Sequence, residues 1–263
     1  MTLDWSRAKV LSLTEFEVCW GLLRLGETPW QLDPPHLGCT DEERHRIVTD
    51  TVNGLQERGV GDARGPRPHL AEQLRLLADP ESGLDVRFRD RSLTAAFAAQ
   101  RGPHATLAVR HRGEIAVLEI PPAAAALALA ELISPVHPGH GFRVQLPADV
   151  LDAARAAAPD DPERFAIELR RHGIHASVAH GLVQMCTGID QHGQFGATAR
   201  SRSGRPLRAP YVVGIHRTPS GHFAQLRRRT ADGRAVVTVE PMSQQTLLRH
   251  LDELTDSRLE PAR

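Results

Sequence analysis

Fourteen histidines are the first side chains in this sequence that could carry chemistry, because a neutral imidazole can ligate a metal ion. The tightest group is His172, His175 and His180, at spacings of three and five residues. Gly173 is predicted to separate the first histidine from a helix that carries the other two. Two imidazoles without an organised third ligand do not make a zinc site. We therefore interpret these histidines as solvated surface residues and predict no metal site.

Nucleophilic catalysis is the second chemistry to consider. Cys186 follows His180 closely enough for a thiol–imidazole pair, but a catalytic thiol needs a base that a third group orients, and none is indicated. Ser220 lies in a Pro-Ser-Gly turn and not in the Gly-x-Ser-x-Gly elbow of hydrolases. No glycine-rich phosphate loop or dinucleotide motif follows a predicted strand. We therefore predict no catalytic residue.

Cysteine usage and apolar runs bear on the compartment. Cys19, Cys39 and Cys186 show neither metal-ligand nor redox spacing, so we interpret them as free thiols in a reducing compartment. The first ten residues contain no apolar run of the kind found in a signal peptide. The apolar segment 123–133 is shorter than the roughly 18 residues that a membrane helix needs. We expect a cytosolic protein without membrane insertion.

The charge balance bears on nucleic-acid binding. The chain has 32 basic and 32 acidic residues, whereas nucleic-acid-binding domains usually carry a positive excess. All basic residues except Lys9 are arginines, which indicates a GC-rich genome such as those of actinobacteria. The run from Arg227 to Arg229 would alternate across a strand, so it cannot form one continuous patch. We expect no nucleic-acid partner; an arginine-rich nucleic-acid-binding protein and a His-dependent metallohydrolase are the alternatives.

Three helices are predicted in the first part of the chain. Thr14 and Glu17 fit a capping box, in which each side chain pairs with a free backbone N–H of the first turn. Thr40 and Glu43 fit a second box. A third, shorter helix is predicted over Pro68–Ala78.

Alternating polarity then replaces the helical period. Residues 106–111 and 114–120 flank Arg112-Gly113, which predicts a β-hairpin. An Ala-rich helix is predicted over residues 122–133.

The second half repeats this order. Asp160 and Glu163 fit another capping box, and predicted helices precede a series of strands. These strands are predicted over residues 194–200, 211–217, 222–229 and 235–240. A closing helix carries leucines on one face.

Each half therefore contains helices, then antiparallel strands, then a helix. We predict an α+β fold of pseudo-twofold architecture, with a central antiparallel β-sheet flanked by helical bundles. Residues 1–263 are predicted to form a single domain with halves of about 10–134 and 142–256. The Pro-, Gly- and His-containing loop 135–141 is the predicted boundary between these halves.

The order of short motifs along the chain resembles the EspG family of type VII secretion proteins. The N-terminal motifs are Leu13-Thr-Glu-Phe-Glu-Val-Cys-Trp20 and Leu23-Arg-Leu-Gly-Glu-Thr-Pro29. The more specific C-terminal motifs are Gly193-Gln-Phe-Gly-Ala197, Arg200, Ser203-Gly-Arg205, Arg208-Ala-Pro210, Thr218-Pro-Ser-Gly-His-Phe223 and the segment from Val236 to Leu254. The resemblance extends from about Leu13 to Leu254, which is nearly the whole chain.

This resemblance implies a cytosolic chaperone of ESX, or type VII, secretion. Members of the family are known to hold the helical tip of a PPE protein in a PE–PPE heterodimer before export. The implied partner is such a PPE protein or a similar helical ESX client. The resemblance also implies no catalysis and no cofactor, and we expect the chain to be a monomer or a dimer.

An apolar sheet face in the second half is the predicted client surface. The exposed apolar tip of a helical client would self-associate, and a complementary face with a polar rim could mask it. The candidate members are Phe195, Tyr211, Val213, Ile215 and Phe223. The two-residue period of a strand puts Tyr211, Val213 and Ile215 on one face. A face packed beneath a helix of the same chain would show the same pattern, and this is the alternative.

Overall fold

Two compact units make up the chain. The computed structural model describes residues 3–34, 38, 40–133, 135–201 and 203–257. The first unit comprises Met1–Arg87, Ser92–Leu129 and Thr198–Leu207, and the second comprises Phe88–Arg91, Ala130–Ala197 and Arg208–Arg263. Each unit includes a short segment from the opposite half of the sequence, so the division into halves of about 10–134 and 142–256 stays a prediction.

Helices and strands alternate in blocks along the chain. Before residue 134 they are β1 (Lys9–Ser12), α1 (Leu13–Leu22), α2 (Asp41–Glu57), β2 (Gly61–Asp62), β3 (Gly65–Pro66), α3 (Pro68–Ala78), β4 (Ser82–Arg89), β5 (Leu93–Arg101), β6 (His104–His111), β7 (Glu114–Ile120) and α4 (Ala125–Glu131). After residue 134 they are β8 (Val144–Pro147), α5 (Ala148–Ala157), α6 (Pro162–Arg171), α7 (Ala176–Cys186), β9 (Gln191–Arg200), β10 (Pro206–Arg208), β11 (Val213–Thr218), β12 (Gly221–Arg229), β13 (Ala235–Pro241) and α8 (Gln244–Asp256). The predicted α+β class, with a large antiparallel sheet flanked by helices, is confirmed.

The first helix begins two residues earlier than its predicted capping box. The Ser12 hydroxyl accepts a hydrogen bond from the Glu15 N–H at 3.1 Å, and the Glu15 carboxylate accepts one from the Ser12 N–H at 2.7 Å. The predicted box at Thr14 and Glu17 is therefore wrong. The chain leaves β1 at Ser12, and the same Ser/Thr-x-x-Glu spacing occurs at that point.

Other local predictions agree with the structure. The Thr40 hydroxyl caps α2 by accepting a hydrogen bond from the Glu43 N–H at 3.2 Å. Helix α3 has the predicted bounds, Pro68–Ala78. Arg112 and Gly113 both adopt positive φ, 48° and 87°, as a two-residue hairpin turn between β6 and β7 requires.

Helix α6 begins one residue later than predicted. Asp161 caps it through a hydrogen bond from the Arg164 N–H at 2.9 Å, so the predicted box at Asp160 and Glu163 is wrong. Pro162 occupies the first helical position, where its missing N–H would have had no helical partner in any case.

The first unit has a five-strand order, β1-β7-β6-β5-β4. Its helices cover a core that includes Leu11, Phe16, Trp20, Leu55, Leu74, Phe97 and Ile115. The rings of Phe16 and Trp20 stack at 5.3 Å between centroids, and the indole N–H donates to the Gly26 carbonyl at 3.0 Å. Beside β1, the Arg58 guanidinium donates to the carbonyl oxygen of Val10 at 3.2 Å.

The second unit has the order β9-β11-β12-β13-β8, with antiparallel pairing at every step. Its outer strand, β8, ends at Pro147, a residue without an N–H. In both units a four-residue strand pairs with the last strand of a longer series, and three α-helices lie between them in sequence. The two units therefore share the order of a short strand, three α-helices and a series of antiparallel strands.

Candidate protein-binding site

The strand register of the second unit assigns each predicted client residue to a face of the sheet. Val213 lies opposite Phe195 of β9, and Ile215 lies opposite Ala224 of β12. Because directly paired residues share a face, Phe195, Val213 and Ile215 lie on one side. Phe223 lies opposite His216, the neighbour of Ile215, so it lies on the other side. The five candidates therefore do not form one continuous surface.

Helices of the same unit cover both faces. On the Val213 side, which we call the α8 face, His250 and Glu253 of α8 contact Glu240 and Arg228 of the sheet. On the Phe223 side, which we call the α7 face, Phe223 packs in a core with residues of α5, α6 and α7. This arrangement matches the alternative of a face packed beneath a helix.

Burial separates Tyr211 from the other four candidates. Phe195, Val213 and Phe223 are 0% exposed and Ile215 is 3% exposed, so they contribute to the core of the unit. Tyr211 is only partly buried. Contact between these five residues and a client stays a prediction; within the chain, four of them hold the sheet and helices together.

The loop 135–141 is packed onto strand β12. The Gly139 N–H donates to the His222 carbonyl at 3.0 Å, and the His222 N–H donates to the His137 carbonyl at 2.7 Å. Gly139 is buried, and an ideal Cβ at this position would overlap the Phe223 ring. The segment predicted as a boundary is therefore part of the folded second unit.

Two histidines beside this loop are buried. The His216 ring stacks on Phe223 at 5.3 Å and lies 2.9 Å, through Nε2, from the Met185 carbonyl. Burial lowers the pKa of His216, and the nearby His222 lowers it further. Burial also lowers the pKa of His222 and the charge of Arg217 lowers it further, while the hydrogen bond with the His137 backbone acts to raise it. Both imidazoles are therefore held in the neutral form.

This pair predicts a loss of stability in mild acid. A histidine whose pKa is lower when folded binds protons more readily when unfolded, so its effect is absent above about pH 6.5 and grows as the pH falls below that value. The free energy of unfolding should fall between about pH 7 and pH 5, by at most about 1.4 kcal/mol per pH unit for each histidine. Urea unfolding at several pH values measures this dependence.

Glutamine variants test whether His216 and His222 cause this pH dependence of the free energy of unfolding. His216→Gln and His222→Gln should each reduce the pH dependence, whereas His104→Gln changes an exposed histidine of the first unit and should leave it as in the unchanged protein. The carboxyls of Asp190 and Asp152, whose pKa values are lowered by hydrogen bonds from Arg217 and Arg227, stay ionised in this range. An identical pH dependence in all variants would contradict the prediction.

Tyr211 belongs to a polar cluster at the edge of the α8 face. The Arg228 guanidinium lies 4.4 Å from the Tyr211 ring centroid and donates to the Tyr211 hydroxyl at 3.0 Å. The same nitrogen donates to the Glu253 carboxylate at 2.6 Å. Burial acts to raise the pKa of Glu253, but Arg228 and, more weakly, Arg249 and His250 lower it to about 2. The carboxylate of Glu253 thus stays charged and holds Arg228 on the ring.

The arginine run alternates across the sheet as predicted. Arg227 forms a bidentate pair with Asp152 of α5, with bonds of 3.1 and 2.6 Å, on the α7 face. Arg228 contacts Glu253 of α8 on the opposite face. These arginines therefore connect the sheet to its two helical layers.

The remaining chemistry-bearing residues have local roles. Among residues 3–34, 38, 40–133, 135–201 and 203–257, no group of three or more His, Cys, Asp and Glu side chains could hold a metal ion. His175 caps α7, and its Nδ1 accepts from the Ser177 N–H at 3.3 Å, while His180 pairs with Gln184 at 3.0 Å.

The predicted free thiols are found at two of the three cysteines. Cys19 and Cys186 form no disulfide, and Cys39 lies outside the described residues. Burial raises the pKa of the Cys19 thiol to about 12 and that of the Cys186 thiol to about 11. Both are thus protonated near neutral pH, and the thiolate is the reactive form.

Comparison with solved structures identifies a protein of similar fold. No helix within the described ranges is both long and apolar enough to span a membrane. A solved structure of EspG5, a type VII secretion system chaperone of Mycobacterium tuberculosis in complex with a PE25–PPE41 dimer, has a similar fold. The TM-score is 0.77 and the sequence identity 17%, over 97% of this chain and 98% of that one. No curated protein sequence matches the chain.

The family comparison covers nearly the same segment as the motifs. The model of the EspG family matches residues 12–253, and the motif resemblance extends from about Leu13 to Leu254. The chain belongs to the EspG family.

Proposed function

We propose that this protein is a cytosolic, non-enzymatic chaperone of type VII secretion that binds the helical tip of a PPE protein in a PE–PPE pair. The observation that carries this proposal is membership of the EspG family over residues 12–253. The likeness in fold to EspG5, solved with its PE25–PPE41 dimer, supports it over 97% of the chain.

An α+β scaffold can present the rigid surface that masking a helical tip requires. A helical export client exposes an apolar tip, and a rigid complementary surface lowers the concentration of free tips that can self-associate. In the proposed role, Phe195, Val213, Ile215 and Phe223 fix the sheet that presents the client surface. Tyr211 adds an aromatic side chain at its edge, held by Arg228. Aromatic side chains of this amphipathic kind are enriched among residues that dominate binding energies.

Co-purification tests the function directly. The untagged chain is co-expressed with a His-tagged PE–PPE pair encoded by the same genome, and the complex is isolated on nickel resin and by size exclusion. We expect a stable complex with one copy of each protein. Separate elution of the chain and the PE–PPE pair at micromolar concentration would refute the proposed function.

A variant pair tests the part assigned to Tyr211. Tyr211→Ala is expected to weaken binding of the PE–PPE pair by about tenfold, measured by isothermal titration calorimetry. Trp5→Ala is the matched control, because Trp5 is a partly exposed aromatic side chain of the first unit, at 43% exposure. Equal affinities for the two variants would mean that Tyr211 does not contact the client. The proposed function itself would still be decided by the co-purification experiment.

A further inference from the structure

Helix α8 is fixed on the sheet of the second unit by apolar packing and by a buried polar pair. Leu247, Leu251 and Leu254 of the helix are fully buried. Between them, the buried His250 lies 2.6 Å, through Nε2, from the buried carboxylate of Glu240 on β13. Side chains that extend from the last turns of α8 therefore start from a fixed backbone.

Glu253 connects this fixed helix to strand β12. It lies three residues after His250, almost one turn further along α8. Its carboxylate accepts a hydrogen bond from Nη1 of Arg249 at 2.9 Å and one from Nη2 of Arg228 at 2.6 Å. The Arg249 guanidinium also lies 3.4 Å from the Glu240 carboxylate. Glu253 is therefore held by a neighbour on its own helix while it binds Arg228.

The orientation of the Arg228 guanidinium depends on Glu253. Nη2 of Arg228 donates both to Glu253 and, at 3.0 Å, to the hydroxyl of Tyr211. Within the described residues, the Nε–H of the same guanidinium is buried and has no hydrogen-bond partner. A hydrogen bond between two charged groups is about twice as strong as a neutral one, so the bond to Glu253 is the stronger of the two. Loss of the carboxylate would leave the guanidinium with its weaker partner, the neutral phenol.

Arg228 in turn holds the ring of Tyr211. The guanidinium carbon lies 4.4 Å from the ring centroid, so a cation–π contact adds to the hydrogen bond at the hydroxyl. Tyr211 precedes β11, whose pairing with β9 and β12 begins at Val213. Because strand pairing does not reach Tyr211, its position depends on side-chain contacts such as those with Arg228.

We propose that Glu253 is a positioning residue for client binding: it orients Arg228, and through Arg228 it holds the Tyr211 ring in the orientation that meets the helical tip. This role rests on the proposed function, in which Tyr211 contacts the client. A side chain that is ordered before binding loses less conformational entropy when the complex forms, so ordering it beforehand strengthens binding. Glu253 thus raises the affinity for the client through a residue other than itself.

The single tyrosine of this chain gives a direct measure of the positioning. In the full chain carrying isotope-labelled tyrosine, the ring signals in an NMR spectrum report Tyr211 and no other residue. Glu253→Gln removes the charge at nearly constant size and should move these signals toward their positions in the urea-unfolded chain. Asp152→Asn is the matched control and should leave them unchanged, because Asp152 pairs with the neighbouring Arg227 on the opposite face of the sheet.

A double-mutant cycle tests whether the effect on binding passes through the tyrosine. Glu253→Gln should weaken binding of the PE–PPE pair by at least about threefold in isothermal titration calorimetry. In the Tyr211→Ala background the same substitution should change the affinity by less than about twofold, because the ring that Glu253 positions is absent. Far-UV circular dichroism checks that each variant is folded. If Glu253→Gln is unstable, Arg228→Met removes the guanidinium, keeps an apolar stem and should give the same two results.

The role of Glu253 would be refuted by unchanged tyrosine signals or an unchanged affinity in Glu253→Gln. An equal loss of affinity in the Tyr211→Ala background, or an equal effect of Asp152→Asn, would refute it as well. If the unchanged protein does not bind the PE–PPE pair, the proposed function itself is refuted. If the unchanged protein binds the pair and Tyr211→Ala binds it equally well, the proposed function stands and the role of Glu253 is refuted.

Discussion

Replacing Gly139 by alanine should lower the free energy of unfolding by about 2–3 kcal/mol, although only one methyl group is added. The new Cβ would overlap the ring of Phe223, which is 0% exposed and has no room to move. Backbone hydrogen bonds on both sides tie the loop to His222, so the loop cannot retreat without breaking them. Urea unfolding followed by far-UV circular dichroism measures the change.

The control for Gly139 is another glycine with open space around it. Gly54 lies in α2, where an ideal Cβ meets no atom within 4 Å, so Gly54→Ala should raise stability by about 0.5–1 kcal/mol. A double-mutant cycle adds a second check. Phe223→Ala alone should cost about 3–5 kcal/mol, and adding Gly139→Ala to it should cost little more, because the overlap is gone. Additive costs in this cycle would contradict the proposed overlap.

Phe16→Ala should lower the free energy of unfolding by about 3–5 kcal/mol. Phe16 is 0% exposed in the core of the first unit, and the substitution removes both its ring and the stacking partner of Trp20. Trp20 is the buried tryptophan of that core, so urea unfolding followed by tryptophan fluorescence reports the transition of this unit. The tryptophan emission maximum of the folded variant should also lie at a longer wavelength than in the unchanged protein, because the Trp20 indole becomes more exposed to solvent.

Phe142→Ala provides the matched comparison. Phe142 is 47% exposed, and its ring rests against Gly181 of α7 without a core around it. Its removal should cost no more than about 1 kcal/mol. If Phe16→Ala and Phe142→Ala lowered the free energy of unfolding by similar amounts, burial of Phe16 in the core of the first unit would not explain its effect.

Local signals in the sequence predict those elements whose chemistry is local. The Arg112-Gly113 hairpin and helix α3 follow from turn preference and from proline at the first helical position. Strand β5 is not evident from the sequence, because alanine, a residue depleted in strands, occupies four of the nine positions of Leu93–Arg101 and Thr94 is the single β-branched residue. Pairing with β6 makes it a strand. Strands β1 and β8 are too short, at four residues each, to show a period.

The candidate site depends on register, which the sequence does not give. The turn after Thr218 pairs it with Gly221 and therefore sets Phe223 opposite His216. A shift by one residue would have placed Phe223 on the face of Ile215.

The outer strands β1 and β8 also carry features that oppose extension of the sheet by another chain. An unpaired strand edge offers N–H and C=O groups to any other extended chain, and such edges seed aggregation by sheet extension. In β1 the Arg58 guanidinium donates a hydrogen bond to the Val10 carbonyl, which is then less available to another chain. In β8 Pro147 has no N–H to donate. A protein proposed to keep aggregation-prone clients apart thus carries its own protection against edge-to-edge polymerisation.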